Sequence, residues 1–197
     1  MSSTPLALAA SPASVRSRVA WRVLLAFAGS WLVAALAQLE FRLPFTPVPI
    51  TGQTLGVLLV GASLGSGLGA VSLALYLAQG AFGLPFFSGG DSGLEFLRLS
   101  AATGGYLWGF IASAAVVGAL AERRWDRSIR SSIGEMFLGE VVLYAIAIPW
   151  LMQALDVSFT RALELGFTPF VVGDTLKLLA AAEILPLAWR VVGKRSS

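Results

Sequence analysis

Apolar residues run in long blocks along this chain, separated by short stretches where charge, proline or glycine collects. A helix that crosses a bilayer needs about 20 mostly apolar residues, because each advances about 1.5 Å through a hydrocarbon layer about 30 Å thick. Six blocks meet or approach that length and predict helices at 20–39, 53–66, 68–84, 101–121, 133–154 and 170–191. Residues 53–84 are one nearly unbroken apolar run, interrupted by Leu64-Gly65-Ser66-Gly67-Leu68-Gly69. That glycine cluster predicts a tight turn between two short helices; a single kinked span would leave an odd number of crossings. Residues 1–15, rich in Ser, Pro and Ala and free of basic residues, are expected to be a disordered tail ahead of a single domain over 16–195.

Composition supports a lipid environment. Of 197 residues, 56% are hydrophobic and 13% charged, with a mean hydropathy of +0.78. A soluble domain carries about 25% charged residues to cover its surface. The expected fold class is an all-α membrane protein, a compact bundle of six transmembrane helices. The chain has no cysteine and no histidine, which excludes a disulfide framework, a thiol nucleophile, a Cys/His zinc site and a Ser-His-Asp triad. No catalytic set, metal site or cofactor is expected.

The net charge of +3 is unevenly placed. With the N-terminus inside, one side of the membrane receives Arg16, Arg18, Arg22, Arg123, Arg124, Arg127, Arg130, Arg190, Lys194 and Arg195; the other receives Arg42, Arg98 and Arg161. Positive charge is retained on the cytoplasmic side, so this asymmetry predicts cytoplasmic N- and C-termini. Five crossings would put the last cluster outside.

The outer loops are then 40–52, 85–100 and 155–169, and all the unusual sequence lies on their side. In Phe41 to Ile50, Pro44, Pro47 and Pro49 forbid a helix and predict a stiff, extended segment, and pre-ordered chain lowers the entropic cost of closing over a ligand. The next loop mixes Phe86 and Phe87 with Gly89 and Gly90, combining aromatic surface with close backbone approach.

Ionisable residues inside a span are costly, so each is a candidate for function. Asp174 and Lys177 lie one turn apart near the outer end of the last helix, which Thr168 and Pro169 are expected to start as N-cap and first helical residue. They form either a structural ion pair or a site offering an anion and a cation side by side. Glu135 is placed close enough to the cytoplasmic end to reach water, while Glu140 and Glu183 could face each other across the bundle. Gln53 can donate and accept hydrogen bonds. Tyr106 presents a ring with a polar tip, and Gly104 and Gly105 before it allow close approach to the backbone. Ala26, Ser30 and Ala34 recur every fourth position and continue to Gln38, a smooth strip that either packs within the bundle or receives a partner subunit.

Four segments taken in order carry a resemblance: Pro47-Val48-Pro49-Ile50-Thr51-Gly52-Gln53-Thr54, then Leu75-Tyr76-Leu77-Ala78-Gln79-Gly80-Ala81-Phe82-Gly83-Leu84-Pro85-Phe86-Phe87, then Thr103-Gly104-Gly105-Tyr106, and finally Gly173-Asp174-Thr175-Leu176-Lys177. Over about residues 22–192 the chain resembles the BioY family, the biotin-specific substrate-binding (S) components of energy-coupling factor transporters. The resemblance implies a six-helix S component of the cell membrane that binds biotin near the outer surface. It also implies a transmembrane coupling (T) subunit and two cytoplasmic ATPase (A) subunits as partners. The absence of a G-x-x-x-x-G-K-[ST] loop agrees with an energy source outside this chain.

The family's Asp-x-x-Lys element maps onto Asp174 and Lys177. Lys177 is the first choice for the valerate carboxylate of biotin and Arg98 the second; Asp174 and Gln53 suit its ureido ring, and Phe86, Phe87 and Tyr106 suit its apolar parts. Ala101-Ala102 stands where the family commonly has a Gly-Pro or similar pair. The alternatives are a stand-alone biotin transporter, an S component for another small carboxylate vitamin, and an intramembrane enzyme, for which no nucleophile-base set or metal motif is present.

Overall fold

The computed structural model describes residues 5–8 and 14–195, with the side chains of residue 15 and 192–195 excepted. Six long helices form a bundle: α1 (Val15–Ala37), α2 (Gln53–Leu64), α3 (Ser66–Ala81), α4 (Gly104–Ala121), α5 (Ile129–Leu155) and, after a short helix α6 (Phe159–Gly166), α7 (Val171–Arg195). Each long helix matches one apolar block. Among the described residues α1, α4 and α5 are long and apolar enough to cross a membrane by themselves; α2 is apolar but short. Of the expected tail, Leu6–Leu8 forms a 3-10 turn whose Ala7 carbonyl accepts the Trp21 indole N–H at 3.3 Å, and residues 1–4 and 9–13 lie outside the described residues.

Helix α2 is the hub, packed against α1, α3, α4 and α7. Its shortness suits that position, because a buried helix needs only close neighbours. A Cβ on Gly61 would stand 2.7 Å from the Ala114 carbonyl oxygen, so the bare backbone lets α2 and α4 approach to contact. The turn between α2 and α3 is a single residue, Gly65, with φ +82°. Gly67 and Gly69 belong to α3 rather than to a glycine-rich turn. The freed N-terminus of α3 is held by Glu122 at the end of α4, whose carboxylate accepts from the Ser66 N–H at 2.9 Å and the Ser66 hydroxyl at 3.0 Å.

Small-residue packing also decides the strip on α1. Ala26, Ser30 and Ala34 are buried, the Ser72 hydroxyl donates to the Ala26 carbonyl at 2.7 Å, and the Ser30 hydroxyl lies 3.0 Å from Gln79 Oε1. The strip therefore packs inside the bundle against α3. The outward face of α1 is a different set, including Val23, Leu24, Phe27 and Trp31. Exposed apolar residues also cover α7, among them Val172, Leu176, Leu187 and Val191.

On the expected outer side the loops are folded. Glu40–Phe41 (β1) pairs antiparallel with Ile50–Thr51 (β2), Glu40 opposite Thr51 and Phe41 opposite Ile50. The proline-rich segment is thus the tip of a hairpin that turns back on itself, rather than a straight extended arm. The Thr46 hydroxyl ties that tip to the Leu165 carbonyl at 2.6 Å. Helix α6 carries Ala162, Leu165 and Gly166 on its buried face and takes Ser158 as N-cap. Helix α7 is entered through a 3-10 turn, Thr168–Phe170, capped by Phe167; the Thr168 hydroxyl donates to the Leu163 carbonyl at 3.2 Å instead of capping the helix.

Candidate functional site

A cavity of about 430 Å³ opens between the hairpin, the 85–103 loop and the outer ends of α2, α4, α5 and α7. Volumes of roughly 300–1,000 Å³ suit small organic ligands. Lys177, Asp174, Gln53, Tyr106 and Phe87 all line it, drawn from three helices and a loop that are distant in sequence. Thr46, Pro47, Val48 and Pro49 of the hairpin tip line it as well.

Asp174 is the centre of the polar end. Its side chain is 4% exposed, and Lys177 Nζ lies 2.8 Å from Oδ1. The Thr54 hydroxyl donates to the same oxygen at 3.1 Å, and the Tyr144 hydroxyl donates to Oδ2. Lys177 Nζ is also 3.1 Å from Thr54 Oγ1. An ammonium has three donors, so after these two partners one N–H remains to point elsewhere. The cluster is charge-neutral and mixes donors with acceptors, the chemistry that matches an uncharged polar group.

Gln53 sits at the first turn of α2, where its backbone N–H meets the Thr51 hydroxyl at 3.2 Å. The Thr51 hydroxyl donates to its Oε1 at 2.8 Å, and its Nε2 donates to the Tyr76 hydroxyl at 2.5 Å. Tyr76 in turn donates to the Phe86 carbonyl at 3.1 Å. A chain of hydrogen bonds therefore links the cavity to the 85–93 loop through α3. The same loop is held to α1 by Gln38, whose Nε2 lies 3.3 Å from the carbonyls of Pro85 and Phe87.

The apolar walls are aromatic. Tyr106 meets Tyr144 edge-on with centroids 6.2 Å apart and Phe170 at 6.3 Å, and Phe87 packs on Phe96 at 5.6 Å. Phe87, Phe96, Tyr106, Tyr144 and Phe170 line the cavity, and Phe110 of α4 joins them. The Tyr106 hydroxyl donates to the Gly166 carbonyl, pinning α6 to α4.

Three expected site residues stand elsewhere. Phe86 is buried beside Tyr76 and Trp31, outside the cavity lining. Gly104 faces Trp150, whose ring would lie 2.9 Å from a Cβ there. Arg98 is exposed and outside the cavity lining, and the second cation lining the cavity is Arg42. Sequence reasoning passed over Tyr144, Thr54, Tyr76 and Arg42. Thr54 and Tyr76 lay inside the motif segments, while Tyr144 carried a legible signal as a polar ring one turn from Glu140 in a lipid-length helix. The acids of α5 and α7 also differ from expectation: Glu135 is wholly buried, with neither oxygen hydrogen-bonded among the described residues, rather than reaching water, and Glu183 is exposed.

The BioY family profile matches residues 9–194, nearly the whole chain. The chain belongs to the BioY family. Among the relatives of this BioY-family chain, the biotin transporter BioY of Rhizobium etli is 37% identical over 159 residues, covering 77% of this chain and 83% of its own. The biotin transporter BioY of Thermotoga maritima is 34% identical over 157 residues, covering 80% and 90% respectively. The crystal structure of the S-component for biotin from an ECF-type ABC transporter shares the fold with a TM-score of 0.79, covering 91% of this chain and 95% of that one at 21% identity. The bundle is therefore the S-component fold of a membrane protein, and its exposed apolar helix faces are lipid-facing surface.

Proposed function

We propose that this chain binds biotin and mediates its uptake across the cytoplasmic membrane, with both termini inside, as the substrate-binding subunit of an energy-coupling factor transporter. Its partners in this reading are a transmembrane coupling subunit and two cytoplasmic ATPase subunits. The biotin transporters among its relatives support the substrate. One structural observation carries the assignment to this cavity: Asp174, Lys177, Thr54 and Tyr144 form a neutral, hydrogen-bonding cluster at the inner end of an aromatic chamber.

Biotin is built to that pattern. Its ureido group is uncharged and needs donors and acceptors together, which the free Lys177 N–H, Asp174, and Gln53 provide. Its sulfur ring and alkyl chain need apolar walls, which Tyr106, Phe87 and Phe110 provide. Lys177, first expected to meet the carboxylate, is already neutralised by Asp174, and this favours the ureido end instead. Because Ala26, Ser30 and Ala34 are buried, the coupling subunit meets the bundle at another surface.

The test is equilibrium binding of biotin to the purified protein in detergent. Saturable binding at or below micromolar biotin is expected; its absence removes the substrate assignment. Uptake into cells with and without co-expressed coupling and ATPase subunits then measures the dependence on partners, and uptake undiminished without them removes that part.

A further inference from the structure

The neutral inner cluster leaves the carboxylate of an anionic ligand without a cation. Among the described residues that line the cavity, the cations are Lys177 and Arg42. They stand at opposite depths, with side chains 17% and 64% exposed, so Arg42 marks the open end.

Arg42 follows β1 at the start of the hairpin tip. Its Nε lies 2.9 Å from Glu40 Oε1, a close charge-assisted hydrogen bond. Its Nη2 lies 3.8 Å from Asp91 Oδ2 on the opposing loop, too far for a hydrogen bond. Beside the Arg42–Glu40 pair is Gly89, at φ +71°, where a Cβ would stand 2.8 Å from both Nη2 and Glu40 Oε1; only a bare backbone leaves the pair this space. The guanidinium is thus oriented through one edge by Glu40 while its other edge faces a loosely held carboxylate. A guanidinium fork accepts a carboxylate through two parallel N–H bonds, so a free carboxylate at the mouth has a better partner geometry to offer than Asp91.

We propose that Arg42 receives the ligand carboxylate at the cavity mouth, with Asp91 occupying that edge in its absence and Glu40 holding the guanidinium in place. This rests on the reading that the ligand is biotin, bound with its ureido ring inward. Exchange of one carboxylate for another releases Asp91, so ligand binding replaces the ion pair between hairpin and loop.

Binding of biotin and of biotinamide, its uncharged analogue, separates this from a structural role. For Arg42→Gln, biotin affinity falls about tenfold while biotinamide affinity stays within twofold. Asp91→Asn raises biotin affinity a few-fold by removing the competitor, and the preference for biotin over biotinamide shrinks in high salt because the site is exposed. Equal losses for both ligands in Arg42→Gln, or no loss for either, overturn the proposal. So does a selective loss of biotin in Lys177→Gln but not in Arg42→Gln. If wild type binds neither ligand, the biotin reading itself fails; if it binds both equally well, only the role of Arg42 does.

Discussion

The Asp174–Lys177 pair can be tested as a coupled unit by a double-substitution cycle. Lys177→Met keeps the length and volume of the stem while removing the charge. It leaves the Asp174 carboxylate, 4% exposed, with two hydroxyl donors and no cation. Breaking a buried pair from one side costs about 3–5 kcal/mol, because the remaining charge stays desolvated. For a chain of this size each kcal/mol moves Tm by about 2–4 °C, so a loss of roughly 10 °C is expected.

Asp174→Asn added to Lys177→Met removes the stranded charge, keeps an acceptor for one of the Thr54 and Tyr144 hydroxyls and offers an N–H to the oxygen of the other. The double variant therefore regains most of the lost stability, while biotin binding stays abolished in both. Thermal unfolding in detergent measures the first effect and equilibrium binding the second. If the double variant is no more stable than Lys177→Met, the two side chains are not coupled. If it binds biotin like wild type, the pair is structural only.

Tyr144→Phe deletes the hydroxyl that donates to Asp174 Oδ2 without changing the ring. This internal hydrogen bond to a charged group contributes about 1.5–3 kcal/mol to stability, so Tm is expected to fall by roughly 3–12 °C and, with Asp174 less firmly held, Kd for biotin to rise; a Tm and a Kd both unchanged from wild type refute the role. Gly61→Val places side-chain atoms where the Ala114 carbonyl stands 2.7 Å from the Cβ position, and size-exclusion chromatography is expected to find little folded monomer. Asp126, in the loop before α5, has its carboxyl raised above the ordinary 3.8 by burial, against the lowering effect of the Trp189 N–H and Arg127. The folded state holds that proton to higher pH than the unfolded chain does, so this group's contribution to stability falls as pH rises from about 4 through the raised value. Asp126→Asn should therefore raise Tm at neutral pH and lose that advantage toward pH 4; a Tm difference independent of pH counts against it.

How much of this was legible beforehand depends on which physical signal each feature leaves. Lipid imposes a length and an apolar composition on every crossing, so the six helices were readable within a few residues from hydropathy alone. The pair at Asp174 and Lys177 was readable because charge in a lipid-length helix is costly and rare, and one helical turn put both on one face. The short helix α6 was harder to see, since eight residues need no long apolar run, and its signal was limited to the Ser158 cap.

What only the tertiary structure decided is who meets whom. Small residues on α1 signalled close packing, but a smooth strip serves an internal neighbour and an external partner equally well, and α3 is the neighbour. Arg98 and Arg42 are both outer-loop cations; the hairpin brings Arg42 into the cavity lining, while Arg98 on the 85–100 loop stays outside it. Phe86 and Phe87 are adjacent, chemically alike and both packed on Tyr76, yet Phe87 lines the cavity while Phe86 packs against Trp31 outside it. Local sequence records what a residue can do, but side-chain direction in a loop follows from contacts made by distant segments, and those exist only once the bundle has closed.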